Sequence, residues 1–163
     1  LKAKNILELG TSLGISTAYL ASVSKESSIS SIEGDPEIVK IAKESIYQLS
    51  LNNVEIKCGL IDTALHELME ENRKFDLIFI DGHHEYQPTK AYFEKTLKLL
   101  NSRGVIVIDD IYWSDGMNKA WQEIKCHSQV KASVDLFFCG MLFFSTNFKE
   151  RLDLKLRPAK LRF

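Results

Sequence analysis

The chain has 163 residues, with 21 Lys and Arg against 22 Asp and Glu, for a formal net charge of −1. That balance lacks the cation surplus on which binding to nucleic acid or an anionic membrane surface rests, so neither partner is expected. At this length a single domain over residues 1–163 is expected, burying roughly two thirds of its unfolded surface without a disulfide or metal staple.

The first predicted strand, Asn5-Ile6-Leu7-Glu8-Leu9, is an apolar run with one acid in it, and it breaks at Gly10 and Gly14. Ser16-Thr17-Ala18-Tyr19-Leu20-Ala21 then reads as helix. Strand, glycine turn and helix place free N–H groups and an open backbone around one space, which suits a ligand held by Gly10, Thr11, Ser12, Gly14 and Ser16. A tight strand-to-helix connection also needs glycine for structural reasons alone. A second strand ends at Glu33, about 20 residues past the turn, where a carboxylate accepts hydrogen bonds from a ribose in nucleotide-binding folds of this topology. The turn is Gly-Xaa-Xaa-Xaa-Gly rather than Gly-Xaa-Gly-Xaa-Xaa-Gly, and Glu8 would repel phosphate. An ammonium or sulfonium group suits Glu8 better.

Asp35-Pro36 is a helix start, and Ile38, Ile41, Ala42, Ile46 and Leu49 recur at helical spacing, so they are expected to face a sheet. Residues 54–58 alternate as a strand, Gly59 follows, and residues 62–71 read as helix. Leu77-Ile78-Phe79-Ile80 and Val105-Ile106-Val107-Ile108 are continuous apolar runs, the mark of parallel strands covered on both faces. Between them a helix is expected over residues 88–100, with Phe93, Leu97 and Leu100 on one face and Asn101-Ser102-Arg103-Gly104 as its stop. Residues 114–125 read as the next helix. Residues 130–138 and 140–145 are close enough for an antiparallel hairpin. The tail over residues 147–163 holds six basic and two acidic residues, and its alternating Leu152, Leu154 and Leu156 suit a strand that edges the sheet or meets another subunit in a homodimer.

Glu8-Leu9-Gly10, Ile32-Glu33-Gly34-Asp35-Pro36-Glu37 and Phe75-Asp76-Leu77-Ile78-Phe79-Ile80-Asp81-Gly82-His83-His84-Glu85-Tyr86, taken in order, resemble the cofactor site of class I S-adenosylmethionine-dependent methyltransferases. The resemblance covers the chain from its start to about Phe144. It implies an α/β fold: a Rossmann-like three-layer sandwich on a mostly parallel seven-stranded sheet whose last strand is antiparallel. It implies S-adenosylmethionine as cofactor, with Glu33 and Gly34 at the ribose. The residues after the third strand, Gly59, Leu60, Ile61 and Asp62, would lie near the adenine, although Asp62 also suits a helix cap. Upstream helices often cover the site in this family. Because the chain opens at Leu1, almost inside its first strand, an upstream segment is expected to be missing.

In open parallel sheets ligands sit beyond the carboxyl ends of the strands, where Asp81, Asp109 and Asp110 fall. Converging carboxylates need protons or a cation, and oxygen donors suit a hard divalent ion such as Mg2+. The arrangement is similar to the metal-dependent catechol-type O-methyltransferases, in which acids at these two strand ends bind an ion that the acceptor hydroxyls chelate. Asp81 and Asp109 match; Asp110 stands where asparagine is usual, and His84 where a lysine is common. Asp81 and Asp109 serving only the cofactor or the loops stays open. Ionising a phenol at pH 7 costs about 4 kcal/mol, so a hydroxyl acceptor needs a metal or a base. His84 is the first candidate base, with His83 the other, since an unperturbed imidazole titrates near pH 6.5.

His66 and His127 read as solvated helix residues. Trp113, Met117 and Trp121 fall four apart, with Trp121 in the core and Trp113 either there or walling an acceptor pocket. Tyr86 is placed for either role in the same way. Cys58, Cys126 and Cys139 are odd in number and widely spaced, so they read as small buried thiols in a reducing cytoplasm. No apolar run reaches the ~20 residues of a membrane span, and nothing resembles a signal peptide. The expected activity is transfer of a methyl group to oxygen of a small molecule. A nicotinamide-dependent oxidoreductase on a similar sheet and a non-catalytic ligand-binding protein are the alternatives.

Overall fold

The computed structural model describes residues 2–23 and 25–157. Five helices alternate with the first five strands: β1 (Asn5–Leu9), α1 (Ile15–Val23), β2 (Ser28–Glu33), α2 (Pro36–Gln48), β3 (Val54–Cys58), α3 (Ile61–Glu70), β4 (Phe75–Ile80), α4 (Tyr86–Leu99), β5 (Leu100–Asp109) and α5 (Asp115–Ile124). Three more strands follow, β6 (Ala132–Asp135), β7 (Cys139–Phe143) and β8 (Leu152–Lys155). They form one sheet in the order β3-β2-β1-β4-β5-β7-β6-β8. Strands β1 to β5 pair in parallel, and β7 runs antiparallel between β5 and β6. The expected seven strands with an antiparallel last one are therefore present, and the tail adds an eighth, parallel to β6. Leu1 and residues 158–163 of the expected tail lie outside the described residues.

Pairing register sorts the side chains into two faces. Leu7, Ile78, Ile106 and Leu142 share one row, Leu9, Ile80 and Ile108 the next, and all are buried in the main core with residues of α3, α4 and α5. Ile6 and Ile29 point the other way and pack with Ala21 of α1, while Ile56 packs with Val39, Ala42 and Ile46 of α2. Helices thus lie on both sides of the sheet, with α1 and α2 on one and α3 to α5 on the other.

Several local expectations are corrected. The buried stripe of α2 is Val39, Ala42 and Ile46, whereas Ile41 and Leu49 are 51% and 58% exposed. Helix α4 starts two residues early, at Tyr86, and residues 101–104 belong to β5 rather than to a helix stop. Phe75 pairs with Leu100 and Leu77 with Val105, so an irregularity absorbs the glycine and polar residues, and the Asn101 amide donates to Asp76 Oδ1 (2.7 Å). Cys58 and Cys126 are exposed rather than buried, and all three cysteines are free thiols. His127 lies past the end of α5 with its ring edge-on to Phe93 at 5.4 Å, so it is not a solvated helix residue.

Candidate functional site

The first glycine turn is held from below. Glu8 points toward α1 in the same register row as Ser31 of β2 and is wholly buried, at 0% exposure. A carboxylate taken out of water needs donors. Thr17 of α1 and Ser31 both donate to Glu8 Oε2 at 2.5 Å, and Thr11 stands 2.5 Å behind Ser31. Burial pushes the Glu8 carboxyl above the usual range, while the hydroxyls of Ser16, Ser31 and Thr17 pull it back. Glu8 Oε1 makes no hydrogen bond. An orphaned carboxylate oxygen beneath a glycine turn fits a cationic or N–H-bearing ligand group.

Above it the backbone turns sharply. Gly10 sits at φ +102 and Gly14 at φ +80. A Cβ on Gly10 would stand 2.1 Å from the Asp81 carbonyl oxygen, so this glycine admits the β4 loop rather than a ligand. The two loops are further tied by Asp81 N–H donating to the Leu9 carbonyl at 2.9 Å. Thr11 is buried, whereas Ser12 is exposed at φ 47. The Glu33 carboxylate spans the mouth of the turn, accepting from Ser12 N–H and Asp35 N–H at 3.0 Å each, which leaves each oxygen a second lone pair. Gly34 and Gly59 border the same rim, with Gly59 N–H donating to the Glu33 carbonyl at 2.8 Å. Leu60 is exposed beside Gly59, and Ile61 is buried. Asp62 does not cap its helix. It lies in the first turn of α3 and pairs with Lys95 at 2.7 Å.

The second group gathers beyond β4 and β5. His84 has its Nε2 3.6 Å from Asp81 Oδ1 and its Nδ1 3.6 Å from Asp110 Oδ2. Asp109 ends β5 beside them. Burial, then the charges of Asp109, Glu8 and Asp110, push the Asp81 carboxyl up to about 7. Burial raises Asp109 too, and the nearby Asp110 charge adds to it against an Asp110 backbone hydrogen bond and His84. Asp81 and Asp110 thus flank the His84 imidazole, and Asp109 ends the neighbouring strand. Three of the residues here, His83, His84 and Asp110, hold φ values of 65, 38 and 54, left-handed conformations that cost energy and that surrounding contacts must maintain. Among the described residues no group of three or more His, Cys, Asp or Glu side chains is arranged to hold a metal ion.

His83 turns away, with its ring edge-on to Tyr92 of α4 at 5.8 Å. Tyr86 packs at the start of α4 and donates to Glu123 at 2.7 Å. Trp121 and Met117 are core, but Trp113 precedes α5 and is 71% exposed, with its ring 6.3 Å from that of His84. The sequence reading missed Thr17 and Ser31 as holders of Glu8. The signal was present, since an acid in an apolar strand requires hydroxyl or amide donors on its neighbours. It also missed Tyr112, whose hydroxyl donates to the buried Asp135 at 2.5 Å.

A family described as a methyltransferase domain matches residues 7–111. The chain is 36% identical over 113 residues to a catechol O-methyltransferase of Niastella koreensis, covering 68% of this chain and 50% of that one. It is 30% identical over 114 residues to an O-methyltransferase of Aspergillus flavus, covering 66% and 45%. The chain spans about half the length of the curated relatives it matches. Among solved structures, an O-methyltransferase of Bacillus cereus in complex with SAH superposes with a TM-score of 0.74 at 28% identity, covering 86% of this chain and 74% of that one. A Streptomyces achromogenes O-methyltransferase in complex with SAM gives 0.76 at 21%, covering 88% and 74%, a likeness that speaks for the fold alone.

Proposed function

We propose, from the premise that this chain belongs to the methyltransferase domain family, that it moves the methyl group of S-adenosylmethionine to an oxygen of a small molecule, the chain forming one domain of that kind. The observation that carries this reading is the buried Glu8 carboxylate with its free oxygen, close enough to Asp81 to raise that residue's pKa. Two neighbouring carboxylates favour a positively charged nucleoside over a phosphorylated one. The relatives named as O-methyltransferases and the SAH-bound neighbour support it.

S-adenosylmethionine supplies an electrophilic methyl on a sulfonium. In this reading Gly10, Thr11, Ser12, Gly14 and Ser16 shape the turn around it, Glu8 and Asp81 serve its cationic end, Glu33 and Gly34 its ribose, and Gly59, Leu60 and Ile61 its adenine. His84 accepts the acceptor hydroxyl's proton at Nδ1, while Asp81, facing Nε2, orients its ring. Removing that proton as the methyl–oxygen bond forms avoids a free phenolate, whose formation costs ~4 kcal/mol at neutral pH. His83, packed on Tyr92, is a loop residue rather than a second base. Asp81, Asp109 and Asp110 are the residues that would hold the divalent ion the resemblance implies, but among the described residues no group of three or more His, Cys, Asp or Glu side chains is arranged to do so. Among the described residues no helix is long and apolar enough to cross a membrane; with three free thiols, the cytoplasm is the proposed compartment.

Titration calorimetry with S-adenosylmethionine, SAH and NAD tests the cofactor, and methyl transfer to catechol with and without EDTA tests the chemistry. Both adenosyl ligands are expected to bind and NAD not to. Glu8→Gln is expected to weaken S-adenosylmethionine about tenfold, or ~1.4 kcal/mol, and SAH far less, since only the former carries the sulfonium charge. Preferential NAD binding would end the reading. Activity lost to EDTA and restored by Mg2+ would return the ion to the acids.

A further inference from the structure

The loop between β6 and β7 lies at the same end of the sheet as Asp109 and Asp110, because Asp109 pairs with Cys139 and Ile108 with Gly140. Ile111 N–H donates to the Phe138 carbonyl at 3.4 Å, which joins this loop to the segment carrying Asp110 and Trp113. Phe138 is 67% exposed there. Its neighbour Phe137 is held at φ 77, a strained value for an aromatic residue. Phe137 stacks on Tyr112 with centroids 5.9 Å apart and meets Phe138 edge-on at 5.0 Å. Asp135 fastens this corner, accepting from Phe137 N–H at 2.9 Å and Tyr112 OH at 2.5 Å.

The last described strand reaches the same corner. Leu156 N–H donates to the Asp135 carbonyl at 2.8 Å. Lys155 Nζ donates to Tyr112 OH at 2.7 Å and lies 3.5 Å from Asp135 Oδ2. The Arg157 guanidinium lies over both rings, 5.3 Å from Phe137 and 5.7 Å from Tyr112. Tyr112, Asp135, Phe137, Phe138, Lys155 and Arg157 all fall past residue 111, where the family match stops.

We propose that the end of β8 and the residues just past it form a clamp on the acceptor side of the site: Lys155 and Arg157 lock the Tyr112–Phe137 pair, and so fix Phe138 beside the residues that follow β5. Together with the exposed Trp113, Phe138 then forms an aromatic wall for a flat, ring-bearing acceptor. This rests on the methyltransferase reading, with the acceptor gripped beside Asp109, Asp110 and His84. Lys155 and Arg157 are positioning residues, since they act through the two rings. With Lys155 Nζ also 5.2 Å from the Tyr112 ring centroid, three exposed cation–ring contacts are together worth about tenfold or more in an equilibrium, enough to set whether the corner is ordered before the acceptor arrives.

The test compares Lys155→Ala/Arg157→Ala with Arg157→Lys, which keeps a cation over the rings, and with Lys125→Ala. The last removes the 2.7 Å tie from Lys125 to Asp153, which Ser133 still holds, and leaves the corner contacts of Lys155 and Arg157 in place. SAH affinity, amide exchange at residues 136–138, and KM and kcat for catechol are measured on each. The double variant is expected to raise amide exchange and the catechol KM about tenfold while kcat and SAH affinity stay within twofold, with Arg157→Lys recovering most of both. Lys125→Ala is expected to leave KM unchanged. Unaltered exchange in the double variant would overturn the clamp, as would an equal KM rise in Lys125→Ala. If the double variant does not fold, the exchange rates of Arg157→Gln decide in the same way. Failure of the unaltered protein to bind SAH would sink the methyltransferase reading instead, leaving the exchange result to judge the clamp.

Discussion

Asp81 is where stability and chemistry pull apart. Burial and the neighbouring Asp109, Glu8 and Asp110 charges raise its carboxyl to about 7 from a model-peptide value of 3.8. Between those two values the folded protein keeps a proton that the unfolded chain has released, so folding stability falls as pH rises through that window and levels off above it. Asp81→Asn removes the titration. Its Tm is expected to match the unaltered protein's near pH 4 and to exceed it at pH 8, by ~3 °C for each ~1 kcal/mol recovered in a domain of this size. Methyl transfer to catechol should fall in the same variant, since the carboxylate that orients His84 is gone. Parallel Tm curves from pH 4 to pH 8 would show that the Asp81 carboxyl is not raised in the folded protein.

At the scale of the turn, glycine positions that look alike in the sequence differ physically. Gly10 and Gly59 each follow a strand, and both read as places where backbone approaches a ligand. Gly10 carries φ +102 with a carbonyl 2.1 Å from where a Cβ would be, while Gly59 has nothing within 4 Å. Gly10→Ala is therefore expected to cost more than ~3 kcal/mol or to prevent folding, because φ strain and a backbone clash add. Gly59→Ala is expected to stay within ~0.5 kcal/mol of neutral. Urea unfolding of both variants checks the contrast, and equal losses would refute it.

The same contrast marks what the sequence made legible. Strand, turn and helix around Gly10, the acids at strand ends and the capping Asp35 follow from local chemistry and are all present. The reason for Gly10 was not legible, because the Asp81 carbonyl comes from 71 positions along the chain. The setting of His84 between Asp81 and Asp110 depends on positive φ values at His83, His84 and Asp110, which residue types other than glycine do not announce. Residues 101–104 have the composition of a helix stop. Pairing of Leu100 with Phe75 overrode it and drew them into β5.

Across the whole molecule the sheet has one sealed face and one that is closed only in part. Leu142 of β7 lies in the buried row with Ile106, Ile78 and Leu7, under the helices α3 to α5. Met141, the next residue back, pairs with Val107 and Val134, and Val107 pairs with Phe79 in turn. These four are only partly buried, because α1 and α2 pack on β1 to β3 on that side. Chemically similar truncations one residue apart should therefore differ sharply. Leu142→Ala removes contacts on every side and leaves a cavity, so a loss of about 2–5 kcal/mol is expected. Met141→Ala exposes little that water did not already reach, and a loss of ~1 kcal/mol or less is expected from its partial burial. Chemical denaturation of both variants, with the slope held common, measures the difference. Equal losses would mean that the β4 to β7 part of that face is as well covered as the core beneath α3 to α5.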